Sequence, residues 1–174
     1  MWPMGHVGIA YILYVVATRA RFDQTPSRGP TVVLVFGSLF PDLVDKPLAW
    51  YLGVLPTGRT LAHSLLVLVP LCAVVYLGTR YYDRAEYGVA FGIGALSHSL
   101  VDAVPVLWDE EASANFLLWP LLPIEEYEDG PPTILALLSE SLSEPYFLSE
   151  FLFLGIAVVL WNRHRKREDW QREW

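Results

Sequence analysis

Residues 88–106 read GVAFGIGALSHSLVDAVPV. The run is apolar and long enough to cross a bilayer, yet His98 and Asp102 stand in its second half. Four positions apart, the two side chains share one helix face, a turn from each other. An ionisable pair inside an apolar helix is expensive and points to a functional site. Imidazole and carboxylate at this spacing suit one divalent metal ion. The plainer reading is a buried His–Asp hydrogen bond that only helps helices pack, and this helix alone does not separate the two. Gly88, Gly92, Ala95 and Ser99 line up as a small-residue stripe, so close packing on a neighbouring helix is expected there.

Composition frames the question. A chain of 174 residues is one domain by length. It is 53% hydrophobic and only 18% charged, and its apolar residues come in blocks, which is too apolar for an ordinary soluble domain. The formal net charge of -7 leaves no basic stripe to neutralise phosphates, so nucleic acid is excluded as a partner. The acids concentrate at 109–111 and 125–129. The one cysteine, Cys72, excludes a disulfide framework and a thiolate zinc site. The first 21 residues lack the basic start of a secretory signal, since their arginines follow the apolar run.

Outward from residues 88–106, the chain divides into five hydrophobic segments. The first covers residues 1–18, carries His6 early and ends in Arg19 and Arg21. A polar connector at 22–29 leads to the second, 30–40, which Pro41-Asp42 is expected to break, with Asp45 three residues on and a half-helix opening at Pro47. The third follows Arg59 and His63 and runs to Thr79; the fourth is the stretch quoted. Residues 107–146 are acidic, aromatic and proline-rich, with short helices expected near 116–122 and 133–142. The fifth, 147–161, holds Glu150 as its only charge. A membrane-embedded domain of residues 1–162 is then followed by a basic and mixed tail, 163–174, in which His164 reads as a solvated charge. The expected fold is all-α, an integral membrane bundle of about five helices, multi-pass in the cell membrane. Loops rich in Arg and Lys stay cytoplasmic, which sets the C-terminus inside and the acidic loop outside.

In that frame His6, Asp42, Asp45, His63, His98 and Asp102 all lie toward the extracytoplasmic side, although none of them set the topology. One histidine is more often a satisfied polar residue than a ligand; three, joined by three carboxylates at one depth, favour a metal site. Nitrogen and carboxylate oxygen without sulfur suit zinc, and also manganese or iron(II). The candidates outnumber the ligands of one tetrahedral ion, so one or two ions fit. Arg59, four before His63, would stabilise an anionic substrate, pair with an acid, or serve as an interfacial snorkelling side chain.

The ordered series His6, Gly37-Ser38-Leu39-Phe40-Pro41-Asp42 with Asp45, Arg59 with His63-Ser64, and His98 with Asp102 resembles the YdjM-like membrane-bound metal-dependent hydrolases. The resemblance covers roughly residues 5–105. Its departures are the three-residue step from Asp42 to Asp45, where many relatives have PDxD, and Ala62 before His63, where relatives often have Thr. The resemblance also implies a ligand pattern similar to that of zinc-dependent phospholipase C and P1-type nucleases.

Together these readings give a metal-dependent hydrolase at the outer membrane face, with His6, Asp42, His63, His98 and Asp102 as ligands. Asp45 would be a bridging ligand or the general base, and Arg59 the anion-binding side chain. By analogy the substrate is a phosphoester, on a lipid or a small molecule. The alternative is a non-catalytic membrane binding or regulatory protein whose metal clamps the helices. An ion pathway is disfavoured, because polar residues sit at only one end of the segments.

Overall fold

A computed structural model describes residues 2–22, 26–124, 133–142 and 145–172. Every regular element among them is helical. Pro3 opens α1 (Pro3–Phe22), its missing N–H falling where a helix has no partner to offer. Ser27 precedes α2 (Arg28–Trp50). Ser64 caps α3 (Leu65–Tyr81) by accepting from the Leu66 amide at 3.2 Å. The quoted stretch forms α4 (Ala85–Asp102) and runs into a 3₁₀ turn, Val104–Leu107. A second 3₁₀ turn at Asn115–Leu118, α5 (Ile134–Ser141) and α6 (Pro145–Arg172) complete the order.

α4 lies at the centre, packed against α1, α2 and α3. Its small residues allow this. A methyl group on Gly37 of α2 would meet the Phe91 carbonyl oxygen at 2.6 Å, and one on Gly94 would meet the backbone of Leu34 and Ser38. On the other face, Gly88 sits against the Tyr76 backbone of α3, while Ala95 and Ser99 are fully buried. The apolar core has two parts. Ala10, Tyr11, Tyr14 and Val15 of α1 meet Leu34, Ala90 and Ala157; Leu68 and Cys72 meet Phe91 and Ala95. α1 and α6 run parallel: Trp2 lies by Glu150, Gly8 on the Phe153–Leu154 backbone, and Tyr11 by Trp161.

The all-α expectation holds, but the integral bundle does not: no helix among the described residues is long and apolar enough to cross a membrane. The physical reason is how length and charge are distributed. α3 is the most apolar helix, yet its 17 residues span about 25 Å at 1.5 Å per residue, short of a hydrocarbon core of about 30 Å. α2 has length but carries Asp42, Asp45 and Lys46. α4 carries Glu86, His98 and Asp102. α6 is longer still, but its last third is charged. Without spanning helices the alternation of sides loses its basis, and with it the extracytoplasmic placement of the cluster.

Three smaller expectations are also corrected. α2 passes through Pro41 and Pro47 without ending, because α4 packs along it and holds the turn that Pro41 weakens. The 163–174 segment does not start a separate tail, since α6 continues to Arg172. His164 is not solvated. It is 1% exposed, with Nδ1 3.0 Å from the Tyr11 hydroxyl and Nε2 accepting from the Arg19 guanidinium at 2.9 Å. The acidic stretch 125–129 lies outside the described residues.

Candidate metal centre

Four parts of the chain deliver the polar cluster. α1 brings His6 in its first turn, α2 brings Asp42 and Asp45, the loop before α3 brings Arg59 and His63, and α4 brings His98 and Asp102. The structure brings His6, Asp42, His63, His98 and Asp102 to one place, with Asp45 behind His63. His6, His98 and Asp102 offer ligand atoms within 4.8 Å of one another, as do Asp42, His63 and His98, so either group could hold a metal ion.

The orientation of two rings is fixed from behind. His63 Nδ1 lies 2.8 Å from Asp45 Oδ2, an acceptor only, so Nδ1 carries the proton. His98 Nδ1 lies 2.6 Å from the Ser38 carbonyl oxygen and carries its proton for the same reason. The close α2–α4 approach at Gly37 and Gly94 brings that carbonyl within reach. Both Nε2 atoms are therefore lone pairs in the neutral rings, and they face each other at 3.2 Å. Asp42 Oδ1 stands 3.6 Å from each of them. Three acceptors in a triangle of edges 3.2, 3.6 and 3.6 Å repel one another unless a cation lies among them. Metal–ligand bonds near 2.0–2.1 Å in tetrahedral geometry set neighbouring ligand atoms about 3.3–3.4 Å apart, close to these edges. Asp102 Oδ2 lies 3.7 Å from His63 Nε2 but groups with His6 and His98, not with the whole triangle.

His6 reaches the cluster differently. It stacks on His98, ring centroids 3.7 Å apart and planes at 18°. Its Nε2 is 3.2 Å from Asp102 Oδ1, outside good hydrogen-bond alignment, and neither ring nitrogen has a hydrogen-bond partner. Burial lowers the His6 pKa to about 4, with Asp102 opposing. Burial lowers His63 as well, against Asp45. Lys46 beside Asp42 and Arg59 beside Asp102 offset the cost of burying these two carboxylates.

Asp45 does not face the cluster. Fully buried, it accepts from the amides of Thr60 and Ala62 at 2.8 Å each, from the His63 amide at 3.3 Å and from the His63 ring. Three of these contacts go to Oδ2 and one to Oδ1, so the carboxylate holds loop 57–64 and one tautomer. It is an orienting carboxylate of the kind that stands behind metal-bound imidazoles. Ser64 closes the loop by donating to the Trp119 carbonyl at 2.6 Å, which sets Phe116 edge-on to His63. Arg59 Nε contacts Asp102 Oδ2 at 2.9 Å with its side chain half exposed.

A family model described as YdjM inner membrane protein matches residues 1–167. The chain belongs to the YdjM inner membrane protein family. Membership places this YdjM protein at the membrane and covers every residue of the cluster. No curated protein and no solved structure matches the chain, so the comparisons carry no likeness to phospholipase C or P1-type nucleases. Two further residues shape the YdjM site. Lys46 pairs with Asp42 Oδ2 at 2.6 Å, and its i, i+4 spacing was the available signal. The Ser38 contact comes from a main-chain carbonyl, which no residue type announces.

Proposed function

We propose that this YdjM-family chain is a metal-dependent hydrolase that acts at the membrane on a phosphoester, on a lipid or a small molecule. The observation that carries the proposal is the pair of buried Nε2 lone pairs facing each other at 3.2 Å beside Asp42. Asp42, His63 and His98 would hold the ion, with Asp102 and His6 beside it on the His98 side. Each group of ligands needs His98, and His98 has one free lone pair, which favours one ion over two. Zinc suits the donor set best; manganese and iron(II) also fit it. A divalent ion in such a site supplies Lewis acidity.

The chain's own residues supply the rest. Arg59 holds Asp102 with Nε while the half-exposed guanidinium stays accessible to an anion. The charges set the match. Asp42, Asp45 and Asp102 against Lys46 and Arg59 leave one negative charge, and a divalent ion turns this into one positive charge. A singly charged phosphodiester complements that better than a neutral ester. Exposed apolar side chains, among them Val69, Val74 and Leu77 of α3 and Leu148, Leu152 and Val159 of α6, suit contact with lipid.

A second reading has its own observation. His6, His63 and His98 are at most 1% exposed, as in closed structural sites, where the ion would only clamp the helices. The test is elemental analysis of purified protein together with hydrolysis of phosphodiester, phosphomonoester and carboxylester substrates. Metal-dependent phosphodiester turnover that falls in Arg59→Ala supports the hydrolase. Fully loaded protein that turns over none of them leaves the clamp.

A further inference from the structure

At His63 and His98 a hydrogen bond from behind the ring fixes its orientation. At His6 neither ring nitrogen has a well-aligned hydrogen bond, and the ring meets only the His98 stack and the Asp102 carboxylate at 3.2 Å. How close it comes to them depends on where the backbone of α1 puts it. The first turn of that helix contains no acidic residue to satisfy its free amides. In a local capping box, a Glu at the third helical position reaches back to the amide of the cap residue. Here the third position is Gly5, which cannot do so.

Glu150 of α6 does this instead. It is 1% exposed, and its two oxygens lie 2.9 and 3.0 Å from the Trp2 amide, the cap of α1. Trp2 is fixed at two further points. Its indole Nε1 donates to Ser141 Oγ at 2.7 Å, and its ring meets Phe147 edge-on at 6.3 Å. The Trp2 carbonyl in turn accepts from the Gly5 amide at 3.1 Å and the His6 amide at 3.4 Å. An unbroken path of hydrogen bonds therefore leads from the Glu150 carboxylate through Trp2 to the backbone of His6. One turn further along α6, Leu154 backs directly onto Gly8, which fixes the register of the two helices.

We propose that Glu150 is the positioning residue for His6: a capping carboxylate supplied by the last helix, which sets where α1 presents its imidazole to the metal centre. Glu150 touches neither the ion site nor any substrate. The proposal rests on the metal reading only for its binding readout. Its geometric claim stands apart from that reading.

The experiment uses the full chain with Co²⁺ as the probe, comparing the unmodified protein with Glu150→Ala, Glu150→Gln, His6→Ala and the Glu150→Ala/His6→Ala pair. Affinity and the visible Co²⁺ spectrum are measured, and diethyl pyrocarbonate labelling of His6 is followed by mass spectrometry in metal-free protein. Glu150→Ala is expected to weaken Co²⁺ binding about tenfold or more, as loss of an outer-shell partner does. It should alter the spectrum as His6→Ala does and add nothing in the double variant. Glu150→Gln, which keeps an acceptor, should restore both. His6 should be protected from labelling in the unmodified and Glu150→Gln proteins and open to it in Glu150→Ala. Glu150→Met, of similar length, takes the place of Glu150→Ala should that variant not fold. Folded Glu150→Ala with unchanged Co²⁺ binding and protected His6 overturns the proposal, as does full additivity in the double variant. Absence of Co²⁺ binding in the unmodified protein would overturn the metal reading instead, and the labelling result then decides the role of Glu150.

Discussion

His6 lies flat on His98, the two rings 3.7 Å apart at their centroids. The stack buries His6 where a charge is poorly tolerated, and this fixes a pH dependence. The folded pKa is about 4 against an ordinary 6.5, so the unfolded chain binds more protons between these values. The contribution of His6 is full above pH 6.5 and is lost as pH falls toward 4, at about 3 kcal/mol for a shift of this size. Denaturation of metal-free protein across that window should show the fall, and His6→Phe should flatten it. An equal slope in both proteins rules out His6 as its source.

Metal retention should depend on the triangle. His63→Ala, His98→Ala and Asp42→Ala are each expected to lose the ion, and loading of the unmodified chain should saturate at one equivalent. His164→Ala should keep it in full. Elemental analysis of the purified proteins reads this directly, and full metal content in His98→Ala would falsify the assignment.

Asp45→Ala strips the acceptor from the Thr60 and Ala62 amides and the His63 ring together. Buried donors left without partners cost about 1–3 kcal/mol each, so a loss on the order of 3–5 kcal/mol is expected in chemical denaturation. Asp45→Asn, which keeps one carbonyl, should fall in between. A loss below about 1 kcal/mol would mean that the loop is held by something else.

Gly94→Val pushes on the Leu34 and Ser38 backbone without touching a ligand side chain. Overpacking of this kind costs about 1–3 kcal/mol, and metal affinity should drop because the Ser38 carbonyl moves away from His98. Gly78→Ala is the control. A methyl there meets nothing, and the swap should stabilise α3 by about 0.5–1 kcal/mol without affecting metal. Unchanged metal affinity in Gly94→Val would separate the helix crossing from the site.

His164→Ala should cost about 1–3 kcal/mol of stability, as loss of a buried, hydrogen-bonded side chain does. The ring joins Tyr11 and Arg19 of α1 to α6 far along the helix pair from His6. A melting temperature indistinguishable from the parent's would mean that the junction holds nothing.

The helices and the members of the cluster were legible because both are written in residue type and spacing: apolar blocks for the helices, and a carboxylate or imidazole at matching depths for the site. Three things were not. Apolar composition suggests spanning power, but spanning needs one unbroken run, and the longest helices interrupt theirs with charge. His164 sits among arginines, which suggests water, whereas α1 brings Tyr11 and Arg19 to cover it. Asp45 has the residue type of a ligand, and only the fold of loop 57–64 shows that it binds the loop amides and the back of the His63 ring.

The parallel pairing of α1 with α6 has a consequence for biosynthesis. Trp2 meets a partner that stands 148 positions later in the chain. At about 5–20 residues per second, the ribosome delivers that partner on the order of ten seconds after the N-terminus emerges. Until then the first histidine made has no seat, while Asp42, His63 and His98 are already on the chain. The nascent protein thus passes through a stage in which the triangle is already made while α1 waits for its cap from the last helix.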